Sequence, residues 1–176
     1  MPHDRPLVLL VDNSTDNREM YAEYLRTCGF RVIACSDSQA SLGLARMCVP
    51  DIILLELRMN RMNGVEVIAQ LQREPSLRHV PVVALTASVL SYERAIAMAA
   101  GFTELLPKPC FPEDLATAIL RIIAAAERRA SEDVEDADHP GSPHRHSPLR
   151  AGQRVESHPR AATRSEAVAS SSQATR

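Results

Sequence analysis

The chain has 176 residues, 45% of them hydrophobic, and a net charge of −2. That length holds one domain of ordinary size with residues to spare, and the near-balanced charge leaves no global electrostatic case for nucleic acid. No apolar run reaches the length of a membrane span, and Met1-Pro2-His3-Asp4-Arg5 lacks the charged-then-apolar layout of a secretory leader.

In chain order, Leu7-Val8-Leu9-Leu10-Val11 reads as a strand buried on both faces and closes on Asp12-Asn13. Ser14 and Thr15 are caps for a helix running to about Thr27, with Met20, Tyr24 and Leu25 as its apolar stripe. Gly29 stops it. Arg31–Cys35 is a short strand. Ser38 caps a second helix carrying Leu42, Leu44, Ala45 and Met47, which ends before Pro50. The run Asp51–Glu56 is a third strand that ends abruptly in a carboxylate. The next helix spans Val65 to about Arg73, with Val65, Ile68 and Leu71 on one face. Val80–Leu85 is a fourth strand with Pro81 near its start, where a lost ladder donor is tolerated, and it ends at Thr86-Ala87. A helix covers about Ser91 to Ala100 and stops at Gly101. A weak fifth strand, Phe102–Leu106, leads into Pro107-Lys108-Pro109. The last helix runs from Pro112 to about Arg129, with Leu115, Ile119, Ile122 and Ile123 facing inward.

Five strands alternating with five helices predict βαβ units and a parallel sheet with right-handed crossovers. The pattern fills residues 6–129, after an N-terminal extension of residues 1–5. From 130 to 176 the composition turns to Ser, Pro, His, Arg, Ala and Gly, after a short acidic cluster (Glu132, Asp133, Glu135, Asp136, Asp138). Such a segment buries too little surface to offset its ordering entropy and reads as a disordered tail. The irregular spacing of its histidines argues against a metal site. Cys28, Cys35, Cys48 and Cys110 show no paired spacing and read as buried, reduced thiols of a cytoplasmic protein.

In an open α/β sheet, chemistry sits beyond the carboxyl ends of the strands. Collecting the polar residues found there yields Asp12 and Asn13, Glu56, Thr86 and Lys108. Carboxylates with neighbouring oxygens favour a hard divalent cation such as Mg²⁺. A hydroxyl and a lysine opposite such an ion suit the spread negative charge of a phosphoryl group.

With these residues in hand, the chain resembles the receiver domain of two-component response regulators. The matching motifs are Leu9-Leu10-Val11-Asp12-Asn13, Pro50-Asp51-Ile52-Ile53-Leu54-Leu55-Glu56-Leu57-Arg58-Met59 with Met62-Asn63-Gly64, Ala84-Leu85-Thr86-Ala87, Ala100-Gly101-Phe102 and Leu106-Pro107-Lys108-Pro109. The resemblance implies a flavodoxin-like (βα)5 doubly wound sheet of strand order 2-1-3-4-5 and a cis bond between Lys108 and Pro109. It also implies a phosphoryl acceptor at Glu56, a weak Mg²⁺ site made of Asp12, Asn13, Glu56 and the Arg58 carbonyl, and phosphoryl contacts from Thr86 and Lys108. The partner surface it implies, for a histidine kinase or a downstream effector, is the face of the fourth helix, fifth strand and fifth helix.

The chain departs from that pattern in four places. Glu56 stands where the family has its acceptor aspartate, and Asn13 where it has a second acid. Asn60 follows Met59 in place of a proline. Leu105 occupies the position of a switch aromatic. The extra methylene of Glu56 pushes its carboxylate about 1 Å into the pocket, and an error of that size can cost in-line transfer about 10²-fold. Asn13 removes one charge from the metal site. The expectation is therefore a stand-alone pseudo-receiver, a signalling module of a bacterial phosphorelay that works by protein–protein contact without being phosphorylated; the alternative is a conventional acceptor with a weakened Mg²⁺ site. No DNA-binding or enzymatic output domain is expected in the short polar tail, nor any membrane or nucleic-acid partner. A Mg²⁺-dependent phosphatase would want an aspartate nucleophile with a second acid near it in sequence, and a nucleotide or flavin carrier would want a glycine-rich loop after the first strand. Neither feature is present, so the expectation is that the chain is not an enzyme.

Overall fold

A computed structural model describes residues 5–87 and 90–137. Most of the expected N-terminal extension, positions 88 and 89, and the expected tail from 138 onward, with its histidines at 139, 144, 146 and 158, lie outside the described residues. The elements alternate strictly: β1 (Leu7–Val11), α1 (Thr15–Thr27), β2 (Arg31–Cys35), α2 (Ser38–Cys48), β3 (Ile52–Glu56), α3 (Gly64–Leu71), β4 (Val82–Thr86), α4 (Ser91–Ala100), β5 (Glu104–Pro107) and α5 (Pro112–Ala137). The strands form one sheet in the order β2-β1-β3-β4-β5, and every pairing is parallel. This is the doubly wound architecture expected.

The three central strands are buried from end to end because their runs carry no polar residue until their last position. Alternation divides them between two cores. Leu9, Val11, Ile53, Leu55, Val82 and Ala84 face α2, α3 and α4. Val8, Leu10, Ile52, Leu54, Val83 and Leu85 face α1 and α5. Each such side chain, fully buried, contributes about 1.5–3 kcal/mol of transfer free energy, so the sheet is held from both sides.

Caps set where the helices begin. Ser14 accepts from the backbone N–H of Asn17 at the start of α1. Asn63 and Glu66 form a reciprocal capping box at the start of α3. At α2 the cap is Asp37, whose Oδ1 accepts from the N–H groups of Gln39 and Ala40. Ser38 is instead the first helical residue, because the carboxylate one position earlier reaches both free donors. Gly101, at φ 104°, ends α4 in the left-handed region.

Several faces differ from those expected. On α1 the buried set is Tyr21, Ala22 and Leu25, with Met20 exposed and Tyr24 only half-buried. Both sets satisfy helical spacing, and the packing of α1 against α5 and the sheet selects between them. Met47 on α2 is exposed, and α3 buries Gly64, Val67, Ile68 and Leu71 while Val65 is half-buried. β4 starts at Val82, so Pro81 precedes it and offers its carbonyl to Ile53. None of the four thiols is fully buried: Cys28 is exposed at the end of α1, and the other three are half-buried, all of them free. α5 continues eight residues beyond Arg129, through the start of the expected tail, where two alanines and two glutamates, all good helix formers, carry it on.

Gly64 lies against the end of β3. A Cβ there would stand 3.0 Å from the Leu57 Cα and 3.1 Å from the Glu56 carbonyl oxygen. Both neighbours are backbone and yield little. Gly64→Ala is expected to destabilise the domain by about 1–3 kcal/mol through overpacking, read from urea unfolding.

Candidate functional site

The strand register builds the site. Val11 lies opposite Leu55 across the β1–β3 ladder. Asp12 and Glu56 each follow by one residue, so they occupy equivalent positions on adjacent strands. Alternation turns both toward the α1/α5 side of the sheet. Asp12 is 1% exposed and Glu56 7%. On the other flank, the Lys108 backbone N–H donates to the Thr86 carbonyl at 2.8 Å, extending the β4–β5 ladder by one step beyond Pro107. The Lys108–Pro109 bond is cis, as expected.

From that anchor the Lys108 side chain reaches between the two acids. Its Nζ donates to Asp12 Oδ2 at 2.5 Å and to Glu56 Oε2 at 2.6 Å. Lys108 is the only lysine in the chain. The remaining oxygens are also engaged. Asp12 Oδ1 accepts from the Ser14 N–H at 2.9 Å, and Glu56 Oε1 accepts from the Arg58 N–H at 3.1 Å. Arg18 donates from Nη1 to the Asp12 carbonyl at 2.8 Å. Asn13, exposed, directs its amide Nδ2 to the Arg58 carbonyl at 3.5 Å.

The turn that carries Lys108 is held from α1. The Tyr21 hydroxyl, on a side chain 1% exposed, lies 3.2 Å from the Cys110 carbonyl, to which it donates, and 3.3 Å from the Cys110 N–H, from which it accepts. Tyr21 lies outside the apolar stripe expected for α1, which was Met20, Tyr24 and Leu25. The available signal was a phenol on the buried arc of α1, since a buried tyrosine hydroxyl nearly always finds a partner.

Burial alone would lower the Lys108 pKa. The hydrogen bonds to Asp12 and Glu56, and the charges behind them, outweigh it and hold the ammonium above its ordinary value. Burial also pushes the Tyr21 phenol up, against the lowering effect of its bond to Cys110.

Asp12, Asn13, Glu56 and the Arg58 carbonyl lie together as expected, but their arrangement does not fit a divalent cation. The facing carboxylate oxygens are both given to Lys108. The outer ones are given to backbone donors, and an amide nitrogen is aimed at the carbonyl. Among the described residues, no group of three or more His, Cys, Asp or Glu side chains is placed to hold a metal ion. Thr86 is buried on the opposite face from Glu56. With Arg58, Asn63, Glu93 and Ile96 it borders a cavity of about 280 Å³ between the end of β3 and α4. Arg58 spans that gap, with Nη2 2.7 Å from Glu93 Oε1. Leu105, at the position of the expected switch aromatic, is buried in the core with Ala97 and Phe102.

Comparisons with known proteins agree with this fold. The family model of the response regulator receiver domain matches residues 8–120. The phosphate regulon transcriptional regulatory protein PhoB of Escherichia coli is 28% identical over 127 residues, which cover 72% of this chain and 56% of PhoB. The chain thus spans about half the length of that relative. The polar-differentiation response regulator DivK of Brucella anthropi is 28% identical over 102 residues, covering 58% of this chain and 83% of DivK. Among solved structures, the receiver domain of a sensor histidine kinase from Pseudomonas aeruginosa, described with a magnesium ion in its active site cleft, is 28% identical. It has a TM-score of 0.64, and the match covers 68% of this chain and 98% of that one.

Two outcomes are expected. Tyr21→Phe removes the partner of both Cys110 backbone groups and should cost about 1–3 kcal/mol, with faster amide exchange at Cys110. The pH dependence has a definite sign. Because the folded Lys108 pKa is raised, the pairing stabilises fully below the unfolded lysine value of about 10.4 and is lost as pH rises through the folded value. Urea unfolding above about pH 10.4 should therefore show a steeper loss in the native chain than in Lys108→Met.

Proposed function

Because the chain belongs to the response regulator receiver family, we infer that it is a receiver-type signalling module of a two-component phosphorelay whose output does not depend on phosphorylation. The observation that carries this reading is the contact between Glu56 Oε2 and Lys108 Nζ at 2.6 Å. In an acceptor site a lysine at this position is available to a phosphoryl oxygen. Here the longer side chain already reaches it, and the same ammonium is shared with Asp12. Glu56 supplies a permanent charge of about −1 where a phosphorylated acceptor would carry about −1.5 to −2. It therefore imitates the phosphorylated state only in part. Asn13, Glu56 and Leu105 alter the metal site, the acceptor and the readout together, which favours a site released from the phosphorylation cycle over a single neutral replacement.

Signalling then proceeds by contact. The partner surface in this reading is the face of α4, β5 and α5, addressed by a histidine kinase or an effector. Support comes from its exposed apolar side chains, Tyr92, Ile96 and Met98 on α4 and Leu120 on α5, since large apolar groups left in water mark contact surfaces when they cluster. The Arg58–Glu93 ion pair ties the loop after Glu56 to α4 and joins the acceptor position to that face. Asp12, Glu56 and Lys108 are, in this reading, a fixed charge cluster, and neither they nor Thr86 serve as phosphoryl-transfer machinery.

A small-molecule phosphodonor with Mg²⁺, followed by intact mass, tests the reading. The native chain should show no phosphoryl adduct of about 80 Da. Glu56→Asp should bind a beryllofluoride mimic at least about tenfold more tightly than the native chain, because the shorter carboxylate restores a placement error of about 1 Å. A stoichiometric adduct on Glu56, or equal binding of the mimic by the two chains, would show a conventional acceptor.

A further inference from the structure

We propose that the Lys108 ammonium takes the place of a divalent cation in this site, whose carboxylate oxygens are thereby all engaged without metal. The proposal rests on the receiver reading of the site and adds to it what occupies its centre.

Three features converge. The first is the count of donors to the acids. Four carboxylate oxygens lie at the end of β1 and β3, and each already accepts a hydrogen bond from the chain: two from Lys108 Nζ, one from Ser14 N–H and one from Arg58 N–H. A magnesium ion demands near-octahedral oxygen ligands at close range and gives up its water reluctantly. To enter, it would have to displace the ammonium from both acids.

The second is how firmly the ammonium is kept there. Its side chain is 10% exposed. Its backbone N–H is bound to the Thr86 carbonyl, and the residue after Pro109 is pinned by the Tyr21 hydroxyl from α1. A lysine on a free loop would swing out to make room. This one is tethered on both sides, so an entering dication would face a positive charge at ion-pair distance. Such repulsion is strong in a poorly hydrated site.

The third is the length of Glu56. One carboxylate must fold back to its own loop and also reach across to Lys108. Oε1 takes the Arg58 N–H two residues on while Oε2 takes Nζ. The extra methylene makes this double reach available. Asn13 adds no charge to draw a cation in and turns its amide nitrogen to the Arg58 carbonyl, as suits a site whose positive charge is built in.

The test compares divalent-cation uptake by the full-length chain and by Lys108→Met, using Mn²⁺ as the probe and the electron paramagnetic resonance signal of free Mn²⁺ as the readout. Lys108→Met should bind Mn²⁺ at least about tenfold more tightly than the native chain. Any Mn²⁺ held elsewhere, for instance by histidines near the C-terminus, is common to both chains and cancels. Equal affinities overturn the proposal. Because Lys108→Met leaves two buried acids without their cation, a change that can prevent folding, a second measurement uses only the native chain. As Lys108 is the sole lysine, ¹⁵N-lysine labelling reports one side-chain ammonium resonance. Titration with Mg²⁺ should leave it unmoved, and a saturable shift overturns the proposal. Metal uptake that shifts the Lys108 ammonium resonance of the native chain, without a phosphoryl adduct, would sink this inference and spare the receiver reading, whereas an adduct on Glu56 would sink the phosphorylation-independent reading itself.

Discussion

A single ammonium between two buried carboxylates is the interaction on which the rest of this structure turns. Taking three charges out of water is expensive, and their mutual attraction offsets that cost only when geometry is good and the remaining lone pairs are satisfied. Both conditions hold here. Nζ lies within hydrogen-bonding distance of each acid, and the outer oxygens meet Ser14 and Arg58 N–H groups. Losing Lys108 would leave two buried acids without their cation, which ranks among the costliest single changes a folded domain can suffer.

The sheet holds these three groups in register. Parallel pairing of β1 with β3 places Asp12 and Glu56 side by side, and pairing of β4 with β5 delivers Lys108 from the far flank. The period of two along each strand decides which side of the sheet a residue serves. It sends Asp12 and Glu56 toward α1 and α5, and Thr86 toward α4 and the cavity beside Arg58. The familiar set of strand-end residues is therefore split between a closed ionic centre and an open cleft. The Arg58–Glu93 pair links the two, because Arg58 contributes its N–H to Glu56 and its guanidinium to α4.

Around this centre the chain differs from an acceptor receiver in a coordinated way. A longer acid fills the space, an amide stands where a second acid would raise the affinity for a cation, and an aliphatic side chain is packed into the core where an aromatic readout would move. Together they leave the fold of a receiver around a centre in which one lysine is paired with both acids.

Much of this was legible in the sequence, and the reason is locality. The strand runs, the cap at Ser14, the stop at Gly101 and the polar residue at each strand's end depend on neighbours a few positions away, and the alternation of elements then admits few topologies. Parallel order and a shared rim for Asp12, Asn13, Glu56, Thr86 and Lys108 follow from that alone. Which groups touch did not follow. Lys108 meets Asp12 across 96 residues of chain and Glu56 across 52, and Tyr21 meets Cys110 across 89. The buried arc of α1 was misplaced by one position for the same reason: two apolar stripes satisfied the helical period, and only the surface that α1 packs against distinguishes them. Residue type and spacing determined where the chemistry of this protein gathers; the packing of distant segments decided that its carboxylates are closed upon a lysine, because direction and distance at a site are properties of elements brought together in space.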